Sequence, residues 1–349
     1  MASDRRRSLY PSRGQRTRFV LRISALAAVL LVAAVSIATA ADKMVMTIVL
    51  PSASFGPYIV ALHKGYYAEE GLDMERVTAQ GSVATAALLS GSAQVSTSSS
   101  AALSAILRGA ALKIVYTMMD RPNYQIWSTA PELKTLQDLK DKNVGVQTRG
   151  DTYEIAMRLT LVAAGLSPDW VAYTPIGSDA NARAVIQSGA LPGLVIGKED
   201  VDMLKGSPGL QRGHMIVDTF DAIRMPYTGA AVSTKLLADH PDTVKRYLIA
   251  TMKGLRYMRA FRTETNDIMR KDGSTLDDHT LDTNYSDVTA SLTANGEEST
   301  ENLRRDMEIR ASLLNIPANK VPTVDQAYDY RLLREANAEL DKRGWKPTP

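Results

Sequence analysis

The chain of 349 residues contains no cysteine. That excludes disulfides, thiolate metal sites, cysteine nucleophiles and lipid anchoring through a cysteine at a processed N-terminus. Histidine is almost as scarce, and His63, His214, His240 and His279 share no metal-ligand spacing such as H-E-x-x-H. No G-x-S-x-G occurs, so no nucleophile elbow is marked. Gly197-Lys198-Glu199-Asp200 ends like a phosphate-binding loop, but the preceding glycine is Gly193 and an acid stands where Ser or Thr is required. Nothing in these patterns argues for bond chemistry, and no cofactor or metal is called for.

Long apolar runs are also missing, with one exception at the start. Residues 23–37 are apolar, follow Arg5, Arg6, Arg7, Arg13, Arg16, Arg18 and Arg22, and precede Ala38-Thr39-Ala40. This is the pattern of an export signal cleaved near Ala40, and the run falls short of the roughly 18 residues of a membrane span. The formal net charge of +3 belongs mostly to that leader, because removing its seven arginines and Asp4 leaves 34 bases against 37 acids. A nucleic-acid partner loses its main support. The expectation is a soluble, unlipidated periplasmic monomer.

What the chain does contain is a repeated β-α alternation. Residues 90–119, SGSAQVSTSSSAALSAILRGAALKIVYTMM, read as helix end, strand, serine-rich turn, helix and strand. Upstream, MVMTIVL reads as a buried strand, Pro57 starts a helix, and residues 74–77 and 83–90 add a strand and a helix. Alternation of this kind implies a parallel sheet with right-handed crossovers. Residues 51–56, 80–82 and 97–100 then lie at strand carboxyl ends, where open α/β folds bind ligands.

From residue 120 the chain turns polar and aromatic, DRPNYQIWSTAP, a first crossing into a second β-α unit. That unit has strands near 144–147, 171–174, 194–196 and 215–217, with helices at 152–164 and 179–188, and the chain recrosses near 220–227. The remainder reads as helical, at 241–261, 300–314 and 324–343, with Thr323 as a cap. Two crossings make a hinge and a cleft. The expected division is a leader at 1–40, a first lobe at 41–123 and 224–349, and a second lobe at 124–223.

GYYAEEGLDMERV, LLSGSAQVSTSSSAALSAILRGAALKIV and LKTLQDLKDKNVGVQ resemble segments of the periplasmic binding proteins of the nitrate, sulfonate, taurine and thiamine-precursor group of ABC importers. The resemblance covers most of residues 44–232. It implies a type II two-lobe α/β fold, each lobe a mostly parallel sheet flanked by helices. It also implies capture of a small molecule for an inner-membrane permease with its ATPase. Gln94 stands where that family often has Asp, and residues 189–193 depart from its usual glycine, apolar, Asp, Ala sequence, so an unusual cleft is expected. Enzymes on the same scaffold, thiamine-pyrimidine synthases and desulfinases, rest on cysteine or iron-binding residues, which weighs against catalysis here.

The candidate ligand contacts follow from strand-to-helix turns. They are Ser54, Phe55 and Tyr58 in the first turn, Gly81 and Ser82 in the second, and Ser98 and Ser99 in the third. In the second unit they are Arg149, Gly150 and Thr152, then Lys198, then Tyr227 at the recrossing, with Tyr124 and Trp127 as further stacking candidates. Arg149 offers a fixed fork of donors to a carboxylate or sulfonate, while Asp151 competes by capping the helix and pairing with Arg149. Burying an anion is costly without charge-assisted donors, so a small organic anion requires Arg149 or Lys198 to face the cleft. If neither does, the ligand is neutral or heteroaromatic, as a pyrimidine thiamine precursor would be.

Overall fold

The computed structural model describes residues 41–49, 52–79 and 81–349. The proposed leader at 1–40 lies outside the described residues, as do Leu50, Pro51 and Gln80. No helix among the described residues is long and apolar enough to cross a membrane.

The elements alternate as the periodicity predicts. The first half contains β1 (Asp42–Ile48), α1 (Gly56–His63), β2 (Leu72–Thr78), α2 (Gly81–Ser90), β3 (Val95–Ser96), α3 (Ser99–Leu107) and β4 (Leu112–Met119). The second contains β5 (Tyr124–Ser128), β6 (Asn143–Val146), α4 (Thr152–Ala163), β7 (Ala172–Pro175), α5 (Asp179–Ser188), β8 (Gly193–Gly197), α6 (Lys198–Met203) and β9 (His214–Asp218). The chain returns through β10 (Thr228–Ser233) and continues as α7 (Pro241–Ala260), α8 (Asp278–Ser291), α9 (Thr300–Leu313), α10 (Val324–Ala327) and α11 (Arg331–Lys342).

Two five-stranded sheets result. The first has the order β2-β1-β3-β10-β4 and the second β7-β6-β8-β5-β9. In each, one strand runs against the rest: β10 is antiparallel to β3 and β4, and β5 is antiparallel to β8 and β9. These are the two strands that the sequence pattern did not mark. β5 lies inside the polar, aromatic segment read as a crossing, and the middle of β10, TGAAVS, is Gly and Ala, which disfavour strands. Tyr124, Ile126 and Trp127 are strand-favouring residues, while for β10 pairing between β3 and β4 decides.

The long C-terminal helix expected over 324–343 is two helices, broken at 328–330, where Tyr328 N–H bonds back to Val324 O and Asp329 N–H is taken up by Ile114 O of β4. Thr323 caps α10 with a full capping box. The α7 helix supplies much of the core around the first sheet, with Val244, Tyr247, Leu248, Met252 and Leu255 buried. It crosses α1 closely at Gly254, where a Cβ atom would sit 2.0 Å from Pro57 O.

Because each antiparallel strand starts where its parallel neighbours end, the carboxyl ends of both sheets meet at the crossings. Residues 120–123 lead out and 219–227 lead back. Thr219, fully buried, ties them by donating its hydroxyl to Tyr124 O at 2.9 Å and Pro122 O at 3.2 Å. On the return, Met225 N–H and Tyr227 N–H bond Asp120 O and Met119 O at 2.9 and 3.0 Å.

Candidate ligand-binding site

The site is built from the turns that leave strand carboxyl ends, and the structure sorts the candidates. In the first-sheet half, Ser52 caps the turn before α1 by accepting from Ser54 N, and Phe55 is buried in the core. Ser54 stays partly exposed beside α8, Gly81 opens α2 at φ 57°, and Ser82 is exposed. Ser98 precedes α3 without capping it, since no side-chain bond to the helix forms. Its hydroxyl, like those of Thr47, Thr97 and Thr228 at the same sheet end, is buried with no hydrogen-bond partner among the described residues. Ser99 is buried, and Ser100 accepts from Arg310 Nη1 at 2.7 Å.

Tyr58 is a correction. It is fully buried in the first core, its ring edge-on to Tyr116 with centroids 5.9 Å apart. Its ring belongs to the first core, and its hydroxyl is buried with no partner among the described residues. Gln94 is also structural, because its side chain accepts from Val45 N at 2.7 Å and donates to Gly91 O on the amino side of β3.

Arg149 is the second correction. Its guanidinium pairs with the buried Glu154 at 3.2 Å, donates to Tyr173 O of the edge strand β7, and lies 5.3 Å from the centre of the Tyr173 ring. Asp151 does cap α4, accepting from Glu154 N, but it is Glu154 that takes the arginine. Gly150, at φ 78°, donates its N–H to the same Glu154 at 2.8 Å. The charge of Arg149 is committed at the outer edge of the sheet.

Three candidates do come together. Thr152 is hydrogen-bonded at 2.7 Å to the hydroxyl of Tyr124. Tyr124 stacks on Tyr153 with centroids 4.2 Å apart and meets the edge of Tyr227 at 5.3 Å. Lys198 reaches the same region, but it sits 3.0 Å from Asp218 and 4.0 Å from Asp287, over the ring of Phe220. Trp127 instead packs in a separate core on the second sheet.

The residues that composition and motif did not mark are acidic. Asp179, at the start of α5, accepts from Tyr153 OH at 2.8 Å and from Gln147 Nε2. Glu199 and Asp200 open α6; Asp200 pairs with Arg183, and Glu199 accepts from Asn284 Nδ2 of α8 at 2.8 Å. Burial first, then repulsion from Asp200 and Asp179, pushes Glu199 up from 4.5 to about 7. Burial, then Asp179, raises Asp200 too. Tyr227 is pushed up to about 12, by burial and then by Glu199 and Asp179 against the pull of Tyr124. The buried amide oxygens of Asn123 and Asn284 have no partner among the described residues. The site therefore offers aromatic faces and acceptors, with Arg149, Lys198 and Arg183 held in ion pairs.

The family model described as NMT1/THI5 like matches residues 52–264, more than half of the chain. The chain belongs to the NMT1/THI5-like family. This agrees with the resemblance carried by the sequence segments. A riboflavin-binding protein, RibY, of Chloroflexus aurantiacus is 27% identical over 226 residues, which is 63% of this chain and 63% of that protein, under two thirds of its length. The structure is similar to the periplasmic aliphatic sulphonate binding protein SsuA from Escherichia coli, 17% identical with a TM-score of 0.66, covering 84% of this chain and 99% of that one. It is also similar to the desulfurization enzyme DSZB, 13% identical with a TM-score of 0.58 over 85% of this chain and 99% of that one. These likenesses establish the periplasmic binding protein fold, a scaffold shared by binders and an enzyme, so function rests on the site.

Proposed function

We propose that this member of the NMT1/THI5-like family is the extracytoplasmic solute-binding component of an ABC importer, and that its ligand is heteroaromatic and rich in hydrogen-bond donors. The observation that carries the ligand class is the pairing of the Tyr124, Tyr153 and Tyr227 rings with Asp179, Glu199 and Asp200 at the meeting of the two sheet ends. A planar ring gains offset-stacked or edge contacts from tyrosines, and its N–H groups satisfy carboxylate and amide oxygens. A small organic anion, the first expectation, meets acids here while Arg149 and Lys198 are spent on Glu154, Asp218 and Asp287. The named activity of the RibY relative, a tricyclic ring binder, supports the same reading. The arginine-rich leader supports a periplasmic place. Binding without bond chemistry is the activity, with closure favoured because only the closed cleft brings both halves onto the ligand.

The test is a thermal-shift screen with riboflavin, substituted pyrimidines, alkyl sulfonates, carboxylates and nitrate. At a hundredfold excess over Kd, binding stabilises by about 2.7 kcal/mol, a shift of several degrees. A shift with a heteroaromatic compound that Tyr227→Ala removes and Arg149→Ala leaves intact is expected. A shift confined to sulfonate, carboxylate or nitrate, lost in Arg149→Ala, overturns the ligand class.

A further inference from the structure

Away from the crossings the two halves touch where Ile309 and Leu313 of α9 pack on the second core, and at a polar seam between the start of α6 and the inner face of α8. The α8 helix belongs to the first-sheet half, because Leu281, Tyr285 and Val288 are buried in that core and Tyr285 OH donates to Met258 O of α7. Asn284 and Asp287, three residues apart, share a helix face. Asn284 Nδ2 donates to Glu199 Oε2 at 2.8 Å, and Asp287 lies 4.0 Å from Lys198 Nζ. On the other side, α6 is fixed to the second sheet through Lys198 N–H on Asn123 O at 3.2 Å and Lys198 Nζ on Asp218 at 3.0 Å. Each partner is therefore anchored in a different half.

We propose that Asn284 and Asp287 on α8 and Glu199 and Lys198 on α6 form a latch that holds the two halves together through protein contacts alone. Closure is then partly prepaid by the protein, and these four residues position the halves instead of contacting the ligand's ring. The lever is set by the hinge. The α8 helix ends beside the first crossing, where Leu292 pairs with Met119, and Asn284 lies two turns back, an arm of roughly 10 Å. A rotation of about 20° about the crossings moves Asn284 by roughly 3.5 Å, which separates it from Glu199. The Asn284 bond to the Glu199 side-chain oxygen, with the Lys198–Asp287 pair beside it, shifts a two-state ratio by about tenfold. The latch holds whatever the ligand is, so it stands or falls apart from the heteroaromatic reading.

The absence of cysteine makes the experiment clean. Ala86→Cys on α2 and Ala184→Cys on α5, both exposed, carry spin labels in the purified protein, and pulsed dipolar spectroscopy without any added ligand reads the distance between them. The expected result is a dominant short distance in the labelled parent. In N284A/D287A a longer population should grow by roughly tenfold relative to the short one, while Glu199→Gln, which keeps an acceptor for Asn284, should match the parent. Identical distributions in the parent and N284A/D287A overturn the latch, as does a parent that shows only the long distance. Circular dichroism checks folding, and if the double variant is unfolded, Asn284→Ser carries the same comparison.

Discussion

Replacing Glu199 by Gln should flatten part of the pH dependence of stability. In the folded protein burial, followed by the charges of Asp200 and Asp179, raises this carboxyl from 4.5 to about 7, against a weaker opposing bond from Asn284. Below about pH 4.5 the group is protonated in both folded and unfolded chains and contributes nothing. Between 4.5 and 7 the unfolded chain releases the proton while the folded protein keeps it, so stability falls as pH rises. Above 7 the loss is complete, at roughly 3 kcal/mol from a shift of that size at about 1.4 kcal/mol per pH unit. Asp200 and Asp287 are raised by burial too, so the wild-type curve slopes the same way beyond the Glu199 share. Glutamine keeps the acceptor and carries no charge, and the variant should gain on wild type across this window. Melting temperatures from pH 4.5 to 8.5 should diverge by about 6 °C, at roughly 2 °C per kcal/mol for a chain of this size. Parallel curves for the two proteins would refute a raised carboxyl at Glu199.

Three other substitutions test the packing. Gly254→Ala forces α7 away from Pro57 O and should cost about 1–3 kcal/mol, read as a lower urea midpoint with an unchanged slope. Arg310→Ala leaves Asp306 buried and unpaired, since Arg310 Nε donates to it at 2.7 Å and both are at most 1% exposed; the expected loss is about 3–5 kcal/mol, measured by chemical denaturation. Arg310→Ala also frees Ser100, and hydrogen exchange at the start of α3 should rise ahead of global unfolding. Arg149→Ala should change stability by less than about 1 kcal/mol in a thermal melt, because half of that side chain is in solvent.

Much of the fold was legible in the residues themselves. The β-α alternation from β1 to β9 is a matter of local periodicity, and helix bounds such as Asp179–Ser188 follow from Ser178 capping the start and Gly189, at φ 73°, closing the end. The NMT1/THI5-like family was visible in segments whose glycines and acidic turns have local causes. The strands β5 and β10 were not legible, since Tyr124–Ser128 falls in the segment read as a crossing and Thr228–Ser233 becomes a strand only by lying between partners supplied from elsewhere in the chain.

The site divides in the same way. Sequence by itself determined that turns at strand carboxyl ends would gather, and it named Thr152, Lys198 and Tyr227 among residues that do. Which charges remain free was decided by tertiary structure. Arg149 and Lys198 are donors on paper, yet Glu154 sits four residues after Gly150 on α4, and Asp218 and Asp287 come from β9 and α8. Asp179, Glu199 and Asp200 looked like ordinary helix-start acids, which favour that end of a helix anywhere. Only the folding of α5 beside α6, under Asn284 of α8, buries them together and turns an expected anion cleft into an acidic, tyrosine-lined one. Electrostatic pairing depends on distance in space, and distance in space is what a sequence does not carry.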